Sequence, residues 1–133
     1  MNDTPYVLDS SAMLAFLRRE NGWEEVAHVI FRADTTVCMS TVNYAEVLSK
    51  SIAKGSLPEA VINQISTLNI RIIAFDSTMA EQAGMLKPRT AKLGLSLGDC
   101  ACLTLARHLD ATTLTADKIW QNLDPAFRMI LIR

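Results

Sequence analysis

Short apolar runs and longer amphipathic segments alternate along the chain. The apolar runs are four or five residues long and rich in β-branched residues, which is typical of buried strands. They predict strands over residues 5–9, 36–40, 71–75, 112–115 and 128–132.

The segments between these runs place apolar residues at helical spacing. An Asn-Gly pair at 21–22 separates the first two helices, Gly55 ends another, and Pro58 opens the next at a first-turn position. Pro88 predicts a kink or a break. The predicted helices cover residues 11–20, 23–33, 41–54, 58–68, 77–92 and 98–109, with a short one at 117–122.

Strands that alternate with helices pair in parallel through crossover connections. We therefore expect an α/β fold, a three-layer α/β/α sandwich with a central parallel sheet. The 133 residues contain no internal repeat and no linker, which predicts a single domain over 1–133.

Composition narrows the function classes. The net charge is −1 without a basic tail, so contact with nucleic acid would need a local patch or a metal. Three cysteines without a secretion signal predict a reducing, cytoplasmic location. No apolar stretch is long enough to cross a membrane. The hydrophobic share of 50% suits a dimer or a bound partner.

Four acids interrupt apolar surroundings near the ends of elements. Asp9 and Asp117 follow strands, Glu46 lies within a helix, and Asp99 lies in the first turn of a helix. In open α/β sheets these positions meet at the edge where ligands bind. Asp76 also ends a strand, and we expect it to cap the next helix.

Each of the four acids also has a structural interpretation. Asp9 and Asp117 could cap the helices that follow them, and Asp99 follows Ser96 at the spacing of a capping box. Glu46 could be a solvent-facing or ion-paired residue. The pattern of all four together favours a functional site over four separate structural roles.

Four stretches of the chain, "YVLDSSAMLAFL", "STVNYAEVL", "KLGLSLGDCACLTLA" and "LTADKIW", resemble the PIN domain family. The resemblance is greatest to VapC-type toxins of bacterial toxin–antitoxin pairs and covers essentially the whole chain. It implies the strand order 3-2-1-4-5. The acids of the family pattern fall on Asp9, Glu46, Asp99 and Asp117.

Clustered carboxylates repel one another, and a divalent cation would relieve that repulsion. An all-oxygen set without His or Cys favours Mg²⁺ or Mn²⁺ over zinc. Such a site supports metal-assisted hydrolysis of phosphodiester bonds. The resemblance implies an endoribonuclease that leaves a 5′-phosphate and a 3′-hydroxyl.

The resemblance also implies individual roles. Asp9 and Asp99 would be the principal metal ligands, while Glu46 and Asp117 would hold a second metal or waters. Ser10 and Thr115, where the family commonly has Ser or Thr, would orient the carboxylates.

Contact with substrate is less clear from the sequence. Four basic residues could grip RNA phosphates or could form an ordinary solvated face: Arg18, Lys87, Arg89 and Lys92. Trp120 could stack on bases, although packing in the core or in an interface is the expected role.

Two partners follow from the VapC-like resemblance, a second copy of the chain and a small antitoxin that wraps the first helical pair. The alternative function is a non-catalytic PIN-like module that only binds protein. A phosphotransfer domain of the haloacid-dehalogenase kind is disfavoured, because Ser11 stands where that chemistry needs a second Asp.

Overall fold

The five apolar runs pair as one parallel sheet in the computed structural model, which describes residues 3–133. The strand order is β3-β2-β1-β4-β5, and every pairing is parallel, as the family resemblance implied. The strands begin and end within about two residues of their predicted positions. They are β1 (Thr4–Leu8), β2 (Thr35–Ser40), β3 (Ile70–Ile73), β4 (Thr112–Thr115) and β5 (Met129–Leu131).

Within residues 3–133, six α-helices connect the strands: α1 (Ser10–Arg18), α2 (Trp23–Ile30), α3 (Thr41–Ala53), α4 (Pro58–Ser66), α5 (Ser77–Arg89) and α6 (Leu97–Leu109). The segment predicted as one helix over 77–92 is divided. Helix α5 ends one residue after Pro88, and a separate 3₁₀ turn covers Ala91–Leu93. The short helix predicted at 117–122 is a 3₁₀ turn, Lys118–Asn122. Among the described residues, no helix is long and apolar enough to cross a bilayer.

Helices cover both faces of the sheet, so the predicted three-layer sandwich is confirmed. Successive side chains of a strand point to opposite faces. Leu8 accordingly packs in a cluster with α1, α2, α3 and α4, while Val7 packs with α5 and α6. Trp120 belongs to the second cluster and is only 1% exposed, so it serves as a core residue and cannot stack on bases.

The strand order reverses between β1 and β4, which are neighbours in the sheet but far apart in sequence. Leu8 pairs with Leu114, and the backbone N–H of Asp9 donates to the carbonyl of Leu114 (3.2 Å). This register places Asp9 beside Thr115 at the carboxyl edge. It is the position at which open α/β sheets bind ligands.

Candidate functional site

Three of the four predicted acids cap helical segments. Asp9 accepts from the N–H of Ala12 (2.8 Å), and Asp117 accepts from the N–H of Ile119 (3.1 Å). Asp99 exchanges hydrogen bonds with Ser96 in a capping box, at 2.9 and 3.0 Å. The capping interpretation is therefore confirmed for these three acids. Capping does not exclude a site, because it places all three carboxylates at helix starts on the same edge.

Asp76 caps α5 in the same way and accepts from the N–H of Met79 (2.9 Å), as expected. It follows β3, which lies at the outer edge of the sheet, away from the reversal between β1 and β4. Asp76 is thus a helix-capping acid outside the candidate site.

The carboxylate of Asp9 is buried (4% exposed) and surrounded by hydroxyl donors. Thr115 Oγ1 donates to Asp9 Oδ2 (2.5 Å), and Ser11 Oγ donates to Asp9 Oδ1 (2.7 Å). Ser11 Oγ in turn accepts from the N–H of Ala116 (2.9 Å). The first turn of α1 and the end of β4 are therefore joined through a single buried carboxylate.

Glu46 reaches the same edge from the middle of α3. Its Oε1 accepts from Ser10 Oγ (2.5 Å) and from Asn43 Nδ2 (2.9 Å). Asn43 Nδ2 also donates to the carbonyl of Gly98 (3.0 Å), the residue before Asp99. Ser10 thus contacts Glu46 and not the neighbouring Asp9, and Asn43 connects Glu46 to the start of α6.

The four charges are close enough to affect one another. Burial, with a smaller contribution from the charge of Asp99, raises the pKa of Asp9 to about 6 despite its three hydrogen bonds. The pKa of Asp99 is raised chiefly by burial, with repulsion from Asp117 and Glu46 as smaller causes. Each acid therefore takes part in at least one repulsion within the group, so the four do not lie on separate faces.

A free thiol lies beneath these acids. Cys102 is fully buried, and burial together with the charges of Asp9, Asp99 and Glu46 raises its pKa well above the ordinary value. Its thiolate is not accessible to a substrate, so the chemistry of the edge rests on oxygen groups.

The donor set can be tested against the divalent cation that the family resemblance implies. Within residues 3–133, no three His, Cys, Asp or Glu side chains are arranged so that they could hold one ion directly. Mg²⁺ usually keeps several waters and binds one or two carboxylates together with substrate phosphates, so three converging carboxylates are not required.

The hydrogen bonds leave oxygens available for such an ion. Among the described residues, Glu46 Oε2, Asp99 Oδ1 and Asp117 Oδ2 accept no hydrogen bond. Within the same part of the chain, Asp9 Oδ1 accepts two hydrogen bonds, but Asp9 Oδ2 accepts only one and keeps a lone pair for an ion. The set consists of hard oxygens that repel one another and is fitted to Mg²⁺ or Mn²⁺ by its chemistry.

The basic residues predicted to contact substrate lie in different places. Arg18 is at the far end of α1 from Asp9 and donates to the carbonyl of Lys50 (3.3 Å). Arg89 lines a groove of about 360 Å³ between α5 and α6, and none of the four acids lines that groove. Lys87 lies half-buried in the last turn of α5.

Lys92 has the position most relevant to the acids. It lies on the 3₁₀ turn Ala91–Leu93, which packs against the 3₁₀ turn that Asp117 caps. Its side chain is exposed.

Sequence reasoning did not identify three residues of the site: Ser11, Asn43 and Gly98. Two signals were present. Asn43 precedes Glu46 by three positions, which places both on one helix face, and Gly98 directly precedes Asp99. Nothing in the sequence indicated that Ser11 would accept from the backbone after β4.

The folded chain is similar to several solved toxin–antitoxin structures. VapBC2 from Rickettsia felis, bound to a promoter DNA fragment, matches at 18% identity and a TM-score of 0.71, over 96% of this chain and 98% of that one. VapBC-1 from nontypeable Haemophilus influenzae matches at 17% identity and a TM-score of 0.71, over 97% of this chain and 98% of that one. VapC20 from Mycobacterium tuberculosis, a toxin that cleaves the sarcin-ricin loop, matches at 16% identity and a TM-score of 0.70, over 85% of this chain and 90% of that one.

These identities are low enough that the likeness concerns the fold alone. A search of curated proteins gave no significant match. The PIN domain family model, however, matches residues 6–125, which is most of the chain. The chain therefore belongs to the PIN domain family.

Proposed function

We propose that this chain is a metal-dependent endoribonuclease built as a single domain over 1–133. The observation that carries the proposal is that four acids gather at the carboxyl edge where the strand order reverses: Asp99 lies close enough to Asp9, Glu46 and Asp117 for its charge to interact with each of them, and Asp9 is buried with a pKa of about 6. Capping alone would be served equally well by uncharged Ser, Thr or Asn, so the repulsion between these charges favours a site that binds a cation.

The roles of the residues follow from their positions. Asp9 and Asp99 would hold the cation, and Glu46 and Asp117 would hold a second cation or orient waters. Ser10 and Thr115 would fix carboxylate orientation through the hydrogen bonds described above.

A bound Mg²⁺ or Mn²⁺ would lower the pKa of the attacking water and neutralise charge on the phosphate. Glu46 or Asp117 could accept the proton from that water, because each keeps an oxygen free of hydrogen bonds within the described chain. Attack by water and not by the ribose 2′-hydroxyl leaves a 5′-phosphate and a 3′-hydroxyl.

The biological setting is proposed by analogy with the similar structures. Two of them are VapBC complexes and one is a toxin that cleaves the sarcin-ricin loop. We expect this chain to be the cytoplasmic toxin of such a pair, to form a homodimer and to be neutralised by a small antitoxin.

The test compares equivalent substitutions inside and outside the acidic edge. Asp9→Asn and Asp99→Asn should lower RNA cleavage by orders of magnitude, and EDTA should abolish it. Asp76→Asn is the matched control, because Asp76 caps α5 outside the site and Asn is also a good cap. Full cleavage by both site variants, or full cleavage in EDTA, would contradict the proposal.

The alternative is a non-catalytic protein-binding module, with which the geometry of the acids is also compatible. No direct three-ligand arrangement of His, Cys, Asp or Glu is found in the part of the chain that the structure describes. Calorimetric titration with Mn²⁺ separates the two functions. Mn²⁺ binding that is lost in Asp99→Asn supports the nuclease, and absence of Mn²⁺ binding supports the module.

A further inference from the structure

Asn43 lies one helical turn before Glu46 and is only 1% exposed. Its Nδ2 group donates one hydrogen bond to Glu46 Oε1 (2.9 Å) and a second to the carbonyl of Gly98 (3.0 Å). A side-chain amide nitrogen has two hydrogens, so both are used. The two acceptors belong to different helices, α3 and α6.

The other end of the same amide group has no partner. Asn43 Oδ1 is buried and accepts no hydrogen bond from any residue that the structure describes. Leaving a buried acceptor unpaired costs free energy. Packing alone would therefore favour a smaller or apolar residue here, and what the amide provides in return is its pair of donated hydrogen bonds.

Gly98 leaves room for the carboxylate of Glu46. A Cβ atom at this position would lie 2.5 Å from Glu46 Oε2, 2.8 Å from its carboxyl carbon and 2.9 Å from Oε1. Gly98 lies within α6 in a backbone conformation open to any residue. Because these atoms are the end of a flexible side chain, an alanine here would displace the carboxylate of Glu46, so the glycine is needed for that carboxylate to stay where it lies.

We propose that Asn43 is a positioning residue, which together with Gly98 fixes the carboxylate of Glu46 against the first turn of α6. Asp99 follows Gly98 directly, so this arrangement sets the separation of Glu46 and Asp99. The proposal rests on the proposed function, because it assigns Asn43 a purpose at that site. Asn43 acts only through Glu46 and does not itself contact the substrate.

A double-mutant cycle on Mn²⁺ affinity tests the proposal in protein free of RNA. Asn43→Ala should weaken Mn²⁺ binding by about ten- to a hundred-fold, which is typical for loss of a group that orients a ligand. In a Glu46→Gln background the same substitution should cause no further loss, because the residue it orients no longer carries a charge. Equal loss in both backgrounds, or no loss in either, would overturn the proposal.

Two further variants guard against a purely structural effect. Ser51→Ala changes another buried polar residue of α3 and should leave Mn²⁺ affinity unchanged. Gly98→Ala adds the atom that collides with Glu46 and should reproduce the loss seen in Asn43→Ala. Should Asn43→Ala fail to fold, Gly98→Ala in the two Glu46 backgrounds completes the same cycle.

A measurement without metal separates this proposal from the proposed function. The side-chain amide protons of Asn43 should show shifted NMR signals that move in Glu46→Ala and stay in place in Ser51→Ala. Signals that do not respond to Glu46→Ala contradict the positioning role alone. An intact response in a protein that binds no Mn²⁺ contradicts the proposed function alone.

Discussion

The hydroxyl of Thr115 donates to Asp9 Oδ2, so a residue at the end of β4 holds a buried carboxylate 106 positions away in sequence. The same hydroxyl oxygen accepts from the backbone N–H of Asp117 (3.0 Å). The hydroxyl of Thr115 therefore holds the carboxylate of Asp9 as a donor and the backbone of Asp117 as an acceptor.

Thr115→Val should impair both acids while keeping the shape of the side chain. We expect RNA cleavage to fall on the order of ten- to a hundred-fold. We also expect a loss of about 1–3 kcal/mol in the free energy of unfolding, since the buried oxygen Asp9 Oδ2 loses its hydrogen-bond donor. Single-turnover cleavage and urea denaturation measure the two effects. Unchanged cleavage would show that the hydroxyl has no orienting role.

Thr113→Val is the matched substitution two residues earlier on β4. Thr113 is fully buried, and its Oγ1 has no hydrogen-bond partner in the described chain. Removing an unpaired buried hydroxyl should raise the free energy of unfolding by about 1 kcal/mol. Cleavage should stay at the wild-type level. A clear loss of stability in urea denaturation would indicate that the hydroxyl has a partner, such as a bound water.

The pH dependence of stability should carry the signature of Asp9. Its pKa is raised from 3.8 to about 6 in the folded protein, so the folded state holds this proton more tightly than the unfolded state. The stability contributed by the protonated group is therefore complete below pH 3.8 and is lost as the pH rises through about 6. The loss is on the order of 3 kcal/mol.

Urea denaturation measures this contribution when the wild type and Asp9→Asn are compared in EDTA at a series of pH values between 4 and 7.5. As the pH rises, the free energy of unfolding of the wild type should fall relative to that of the variant. A difference that stays constant across this range would contradict the raised pKa. Mn²⁺ added at pH 7.5 should stabilise the wild type and leave the variant nearly unaffected, because the ion binds the ionised carboxylate.

Lys92 and Arg18 should differ in their effect on RNA binding. Lys92 lies on the turn that packs against the segment capped by Asp117, whereas Arg18 lies at the opposite end of α1 from Asp9. In an Asp99→Asn background, Lys92→Ala should weaken binding of single-stranded RNA. It should also reduce the slope of log affinity against log salt by about 0.7, the value for one phosphate contact.

Arg18→Ala is the comparison, and it should leave that slope unchanged. Fluorescence anisotropy at several salt concentrations measures both variants. A larger effect of Arg18→Ala than of Lys92→Ala would place the bound RNA along α1 and away from the acidic edge.

The sequence predicted the fold well because its signals are local. Short apolar runs specify strands, and Pro58 and Gly55 mark helix ends through their own backbone properties. The division of α5 near Pro88 was anticipated as a kink or a break. The 3₁₀ form of Lys118–Asn122 was not, because helical spacing over five residues does not separate the two kinds of helix.

The candidate site was only partly predictable, since its hydrogen bonds join distant parts of the chain. Ser11 meets Ala116 across 105 positions, and Asn43 meets Gly98 across 55. Such pairs have no signature in a single sequence. Acids are conspicuous in apolar surroundings, whereas a serine, an asparagine and a glycine are ordinary residues anywhere.

The helix-capping role of Asp9, Asp99 and Asp117 bears on how the chemistry of this fold can be lost. A cap needs only a short side chain with an acceptor oxygen, and Asn serves as well as Asp. Exchanging these acids for their amides would therefore abolish the proposed RNA cleavage while the architecture survives. Descendants of such a chain could diverge into inert scaffolds, and only the identity of these side chains would distinguish them from active enzymes.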